Sequence, residues 1–123
     1  MLHVLVVDDS HTVQKGVSSL LRRCGFRTTS ADSAEEGLAM VRRDRPDLVL
    51  MDVVFPGMSG FHATRRLVRD PATSAIPVVL MSVRSGEADR AWGLRQGAKD
   101  YLVKPFQAGD LLSMVRRTLS RSD

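Results

Sequence analysis

The sequence predicts an α/β fold, a parallel sheet covered by helices on both faces. Short apolar blocks of strand length alternate with helix-period segments along the whole chain. The blocks at His3–Val7, Leu48–Met51 and Val78–Met81 are too apolar to leave either strand face in water, as in a parallel sheet buried on both sides. The chain has 123 residues, 43% of them hydrophobic, which is one domain's worth of core; residues 1–123 are read as a single unit. Right-handed crossovers make such a sheet doubly wound.

Each element follows from local signals. The strands are His3–Val7, Arg27–Ser30, Leu48–Met51, Val78–Met81 and Tyr101–Val103. The second, Arg27-Thr-Thr-Ser30, is polar and belongs at a sheet edge. From His11 to Cys24 the apolar residues Val13, Val17, Leu20, Leu21 and Cys24 recur at helical spacing, and Gly25 supplies the stop. Ser33-Ala-Glu-Glu36 reads as a capping box opening a second helix that Pro46 closes. Gly60–Arg69 is a third helix, ended by Asp70-Pro71. Glu87–Gln96 is a weaker fourth, with Gly86, Gly93 and Gly97 in or around it. Gly109–Ser120 is the last, with Leu111, Leu112, Val115 and Leu119 on one face.

Composition excludes several function classes. The single cysteine, Cys24, leaves no internal disulfide and suits a reducing compartment. No secretory signal opens the chain and no apolar stretch has bilayer-spanning length, so the expected location is the cytoplasm, with no membrane partner. The net charge of +4 is almost all arginine, in doublets at Arg22-Arg23, Arg42-Arg43, Arg65-Arg66 and Arg116-Arg117, each in the later part of a helix. There they complement the helix dipole and stay solvated. No nucleic-acid motif accompanies them, and 5% aromatic residues offer no base-stacking platform, so no nucleic acid is expected. His3, His11 and His62 lack ligand spacing.

In a doubly wound sheet, ligands bind beyond the carboxyl ends of the strands. Asp8 and Asp9 follow the first strand, Asp52 the third, Ser82 the fourth and Lys104 the fifth. Acids from distant segments thus meet a hydroxyl and a lysine on one rim. Carboxylates at close range need a counter-charge, and a hard divalent cation such as magnesium supplies it. A cation there recruits phosphate oxygens, and aspartate is a known phosphoryl nucleophile. Taken singly, Asp8 or Asp9 would serve as a helix N-cap, Ser82 as a turn residue and Lys104 as a surface lysine. A glycosidase pair is disfavoured because neighbouring Asp8 and Asp9 are poorly placed to flank a sugar bond. A phosphohydrolase would want a second acid two residues after its nucleophile, where Asp52 is followed by Val53-Val54. No P-loop or GxGxxG supports nucleotide binding.

These residues resemble the receiver domain of two-component response regulators. The resemblance lies in Val6-Val7-Asp8-Asp9-Ser10, Asp52-Val53-Val54-Phe55-Pro56-Gly57-Met58-Ser59-Gly60, Met81-Ser82 and Asp100-Tyr101-Leu102-Val103-Lys104-Pro105-Phe106. It implies a flavodoxin-like, CheY-like sheet of strand order 2-1-3-4-5. It makes Asp52 the phosphoacceptor for a histidine kinase, a signalling role rather than an enzyme's. It assigns magnesium to Asp9, Asp52 and the Val54 carbonyl, with Asp8 acting through water. Lys104 contacts the phosphoryl group, Ser82 moves to hydrogen-bond it, Tyr101 changes rotamer with it, and Lys104–Pro105 is cis. Three further stretches, Phe61-His62-Ala63-Thr64-Arg65-Arg66, Ser74-Ala75-Ile76-Pro77 and the run WGLRQGAKDY from Trp92 to Tyr101, are similar to PilH-type stand-alone receivers of type IV pilus and twitching-motility pathways. This likeness implies a CheA-like kinase, a downstream target or phosphatase, and a monomer or weak dimer. The alternative is a phosphate sink without a target of its own.

Some positions depart from the family pattern. Val83 stands where Ala or Gly is usual and narrows the path to the site; Phe55 replaces a commoner Met. Val54 and Arg84 occupy the positions that tune phosphoryl loss, and neither is a general base for water, so unaided dephosphorylation is expected to be slow. Trp92 on the fourth helix is either a partly buried cover for the sheet edge or an interface anchor.

Overall fold

The computed structural model describes residues 1–120. Five parallel strands, β1 (His3–Val7), β2 (Arg27–Ala31), β3 (Leu48–Asp52), β4 (Val78–Ser82) and β5 (Asp100–Val103), alternate with α1 (His11–Arg23), α2 (Ala34–Asp44), α3 (Gly60–Arg69), α4 (Glu87–Arg95) and α5 (Ala108–Ser120). The sheet order is β2-β1-β3-β4-β5, as the family resemblance implies, with β2 on an edge. Val7 pairs with Met51 and Ala31, and Asp52 with Met81, so the carboxyl ends of the central strands finish side by side.

The strand residues divide between two cores because side chains alternate across a pleat. Leu5, Val7, Val49, Met51 and Leu80 face α2, α3 and α4, meeting Leu38, Val41, Ala63 and Leu67. Val4, Val6, Leu48, Leu50, Val79 and Met81 face α1 and α5, meeting Val17, Leu21, Leu111, Met114 and Val115. Among the described residues no helix is long and apolar enough to cross a membrane.

Element ends sharpen the sequence reading. Gly25 takes φ +92 immediately after the Cys24 cap, the left-handed geometry that ends α1. α2 stops one step before the proline credited with it. Arg45 itself adopts φ 48 and returns its N–H to Val41, with Pro46 following. The capping box at Ser33 is offset: Ser33 Oγ accepts from Glu36 N–H, but Glu36 Oε1 reaches back to the N–H of Asp32. The arginine doublets are not uniformly solvated, since Arg22 Nε donates to Thr28 Oγ1 at 2.8 Å and Arg117 to Asp100.

The weak fourth helix is attached through glycine. Gly93 is the buried residue of α4. A Cβ there would lie 2.7 Å from Leu80 Cδ1 and 3.2 Å from the Tyr101 ring, so only glycine lets α4 sit this close to the sheet. Asp100 ties both neighbouring helices to β5. It accepts from Arg90 of α4 at 3.3 Å and from Arg117 of α5 at 3.0 Å, and Arg90 also donates to the Tyr101 carbonyl.

Burial opposes ionisation of Asp100, but the Tyr101 N–H, Arg117 and Arg90 overcome it and hold its carboxyl below the usual value of 3.8. A depressed acid contributes stability above its unfolded pKa and loses it as pH falls through the folded one. Asp100→Asn is therefore expected to cost on the order of 1–2 kcal/mol at neutral pH. The deficit should shrink toward pH 3, read from urea midpoints across the acid range.

Candidate functional site

The site is assembled where β1, β3 and β5 end. β1 delivers Asp8, and the next residue, Asp9, lies exposed on the rim. Neither caps α1, because Ser10 does so with its hydroxyl. Asp8 instead accepts the Ser10 N–H on Oδ1 at 2.9 Å, and it is 1% exposed. Asp52 is the last residue of β3 rather than the residue after it, and Oδ1 accepts the N–H of Val53 at 2.9 Å. Carboxylate oxygens of Asp8, Asp9 and Asp52 lie within 4.8 Å of one another.

Lys104 follows β5 and crosses to this cluster. Its Nζ donates to Asp8 Oδ2 at 2.6 Å and stands 3.5 Å from Asp52 Oδ1. The Lys104–Pro105 peptide is cis, as the family resemblance implies. Burial first, then the Asp8 charge, pushes the Asp52 carboxyl above the usual value of 3.8, with Lys104 only partly offsetting them. The like-charge conflict is thus between Asp8 and Asp52, across the strands, rather than between the sequence neighbours Asp8 and Asp9. An all-oxygen set of this kind is able to hold a hard divalent ion.

Ser82 ends β4, wholly buried, beside the Asp52 strand. Its Oγ accepts the N–H of Arg84 at 3.1 Å and keeps its own proton to donate. Tyr101 lies inside with its ring against Gly93, and its hydroxyl donates to the carbonyl of the same Arg84 at 2.9 Å. The two candidate switch residues therefore grip one peptide segment from opposite sides. Val54 is half exposed after Asp52. Val83 is 70% exposed and borders an apolar groove of about 540 Å³ between α1 and α5, with Val13, Val17 and Phe106.

The supporting roles of three residues, Gln14, Gly60 and Arg84, are not visible in the sequence. Gln14 of α1 is buried and donates from Nε2 to the Asp8 carbonyl at 2.5 Å and to Asp32 Oδ1 at 2.8 Å, bracing the end of β1 against β2. Its place in a helix, flanked by apolar positions, was the available signal. Gly60 opens α3 directly under the site. A Cβ there would fall 1.9 Å from the Asp52 carbonyl oxygen. Arg84 acts through its backbone, which no side-chain pattern announces.

A family model described as "Response regulator receiver domain" matches residues 4–116. The chain belongs to that family. Protein PilH of Pseudomonas aeruginosa is 42% identical to this receiver over 120 residues, covering 98% of this chain and 99% of PilH. The transcriptional regulatory protein AfsQ1 of Streptomyces coelicolor is 37% identical over the whole chain, which spans about half of AfsQ1. A putative response regulator from Chloroflexus aurantiacus matches at TM-score 0.92 and 31% identity, covering 97% of this chain and 98% of that one. Vibrio cholerae chemotaxis protein CheY4 matches at TM-score 0.89 and 30% identity, covering 95% and 98%. These relatives are diverse response regulators. Family membership implies a histidine kinase upstream and an effector downstream, and a signalling rather than a catalytic role.

Two outcomes follow from this receiver's geometry. Asp52→Asn removes a carboxylate whose ionisation is opposed in the fold. The variant should be more stable than the parent in EDTA at neutral pH. Its advantage should vanish below the unfolded carboxylate pKa, where both are neutral, as read from urea midpoints. Gly60→Ala forces the start of α3 off the Asp52 carbonyl and should cost about 1–3 kcal/mol, the scale of overpacking. A normal thermal midpoint in that variant would contradict the close approach.

Proposed function

We propose that this chain is a phosphoacceptor: Asp52 takes a phosphoryl group from the phosphohistidine of a sensor kinase, and the protein relays the change by contact with a partner. The observation that carries this reading is the convergence of Asp8, Asp9 and Asp52 within 4.8 Å, with Lys104 on Asp8, at the strand ends of a receiver. Asp52 Oδ1 is occupied by Val53 N–H, while Oδ2 has no hydrogen-bond partner among the described residues. Oδ2 is then the oxygen that attacks phosphorus. The P–N bond to the kinase histidine breaks as the O–P bond forms, and the departing imidazole takes up a proton.

Asp9, Asp52 and the Val54 carbonyl would hold magnesium, with Asp8 contributing through water. The cation, when bound, neutralises charge on the transferring phosphoryl oxygens. Lys104, with its Nζ 3.5 Å from Asp52 Oδ1, offers a second positive charge. With the Asp8 carboxylate balanced elsewhere, its Nζ is free to follow the new oxygens. Ser82 has a proton to donate to them. Doing so draws its Oγ off the Arg84 N–H, and the segment held by Tyr101 is released on one side. This biases an equilibrium between two loop positions. The 42% identity to PilH supports a place in a type IV pilus or twitching-motility pathway fed by a CheA-like kinase.

Kinase-dependent phosphotransfer from labelled ATP tests the proposal. Label should reach the wild type only with magnesium, and should be absent after EDTA and in Asp52→Asn. Once the kinase is removed, label should decay slowly, because Val54 and Arg84 offer no general base near the bond. Labelling that persists in Asp52→Asn would remove this residue from the central role, and rapid unaided decay would contradict the reading of Val54 and Arg84.

A further inference from the structure

The described arginines differ in what they meet, and Arg22, Arg23 and Arg45 donate to a hydroxyl or carbonyl oxygen. Arg42, Arg43, Arg84, Arg90 and Arg117 each rest against a carboxylate. Arg65, Arg66 and Arg69 on α3 and Arg95 on α4 are exposed, and none of their side chains has a hydrogen bond or ion pair among the described residues. Arg65 and Arg69 stand four apart, Arg66 and Arg69 three apart, so like charges repel along the helix face. The macrodipole favours cations in a last turn, but it does not explain why no acid answers them. Asp70, which follows α3, is turned to Arg42 at 3.7 Å.

These unpaired charges line a surface with shape. A groove of about 360 Å³ lies between α3 and α4, walled by Arg65, Arg69, Trp92 and Arg95. Its floor forms because Gly97, at φ +109, lets Val68 press within 2.8 Å of where a Cβ would stand. A second hollow of about 410 Å³ continues it, sharing Arg65 and Arg69 and ending at Arg66, His62 and one acid, Asp70, which is engaged with Arg42. Trp92, the single tryptophan of the chain, is 47% exposed at one end of this strip.

We propose that the α3–α4 strip is a docking site for an acidic protein segment, with carboxylates spaced along its backbone and one apolar or aromatic anchor seated against Trp92. Charge complementarity selects an acidic occupant. Two hollows in tandem suit side chains strung along one backbone rather than one compact anion. A lone tryptophan beside arginines matches the composition of interface hot spots but offers no platform for successive bases. The inference stands on the charges of the strip and does not require phosphorylation of Asp52.

Selection of random short peptides displayed against the immobilised full chain tests it. Enriched peptides are expected to carry several Asp or Glu around an aromatic or large apolar residue, and to shift Trp92 fluorescence when added as synthetic peptides. Their binding should weaken about tenfold or more in Arg65→Glu/Arg69→Glu and in Trp92→Ala, the scale of a hot-spot loss, and stay unchanged in Arg116→Glu. Phosphotransfer to Asp52 in the same variants should equal the wild type, which reports their folding. Peptides without acidic character, equal binding by the charge-reversed variant, or displacement by double-stranded DNA at lower concentration than by peptide would each overturn the proposal, as would failure to enrich any peptide. Loss of wild-type phosphotransfer would strike the phosphoacceptor reading and leave this result standing.

Discussion

The 2.6 Å ion pair between Lys104 and Asp8 is the interaction on which the site depends. Asp8 is almost wholly buried, and an unpaired carboxylate there would be costly to desolvate. Removing either partner of such a buried pair typically costs about 3–5 kcal/mol, because the other charge is left behind. The pair also joins the first strand to the last: residues 8 and 104 sit on opposite sides of β3, and the lysine crosses above Asp52 to make it. Asp52 is held between a negative neighbour and a positive one, with burial tipping the balance against its charge. A site so balanced gains from any added cation, which is the physical sense in which the acids call for one.

Arg84 carries the next link. Its N–H is held by Ser82 and its carbonyl by Tyr101, so one peptide segment of the β4–α4 loop is fixed by a residue at the site and by a residue at the base of α4. Tyr101 in turn packs on Gly93, and its own carbonyl receives Arg90 of α4. A change at Ser82 therefore reaches α4 through contacts of ordinary hydrogen-bond length, with no long-range field required.

Most of the fold was legible in the sequence. Strands buried on both faces are apolar along most of their length, so His3–Val7, Leu48–Met51 and Val78–Met81 announced themselves, and the polar β2 announced an edge. The strand ends were read one residue short at Asp52 and Ser82, because polar residues placed there for the site look like the start of a loop. The site's members were also legible, since parallel strands gather their carboxyl ends. Their pairing was not. Which acid Lys104 prefers depends on burial and reach, and the sequence neighbours Asp8 and Asp9 drew attention away from the across-strand pair Asp8 and Asp52. The roles of Gly60 and the Arg84 backbone were hidden because each acts through main-chain geometry, which leaves no side-chain signature, and that of Gln14 because its amide finds its acceptors, the Asp8 and Ala31 carbonyls and Asp32, only in the fold.

The helices are held unequally, and α4 is the one with least apolar burial. α1 and α5 bury Val17, Leu21, Leu111, Met114 and Val115 against the sheet, and displacing either would expose large apolar side chains. α4 buries Gly93 and is otherwise retained by Arg90 on Asp100 and the Tyr101 carbonyl. Polar contacts of this kind exchange with water at little net cost, whereas apolar burial does not. The free energy of an event at the carboxylate cluster will move the element with least to lose, which is α4 together with the loop that leads into it. Because Gly93 sets how closely that helix approaches β4 and β5, the same glycine that weakens the helix also defines the distance over which it can respond.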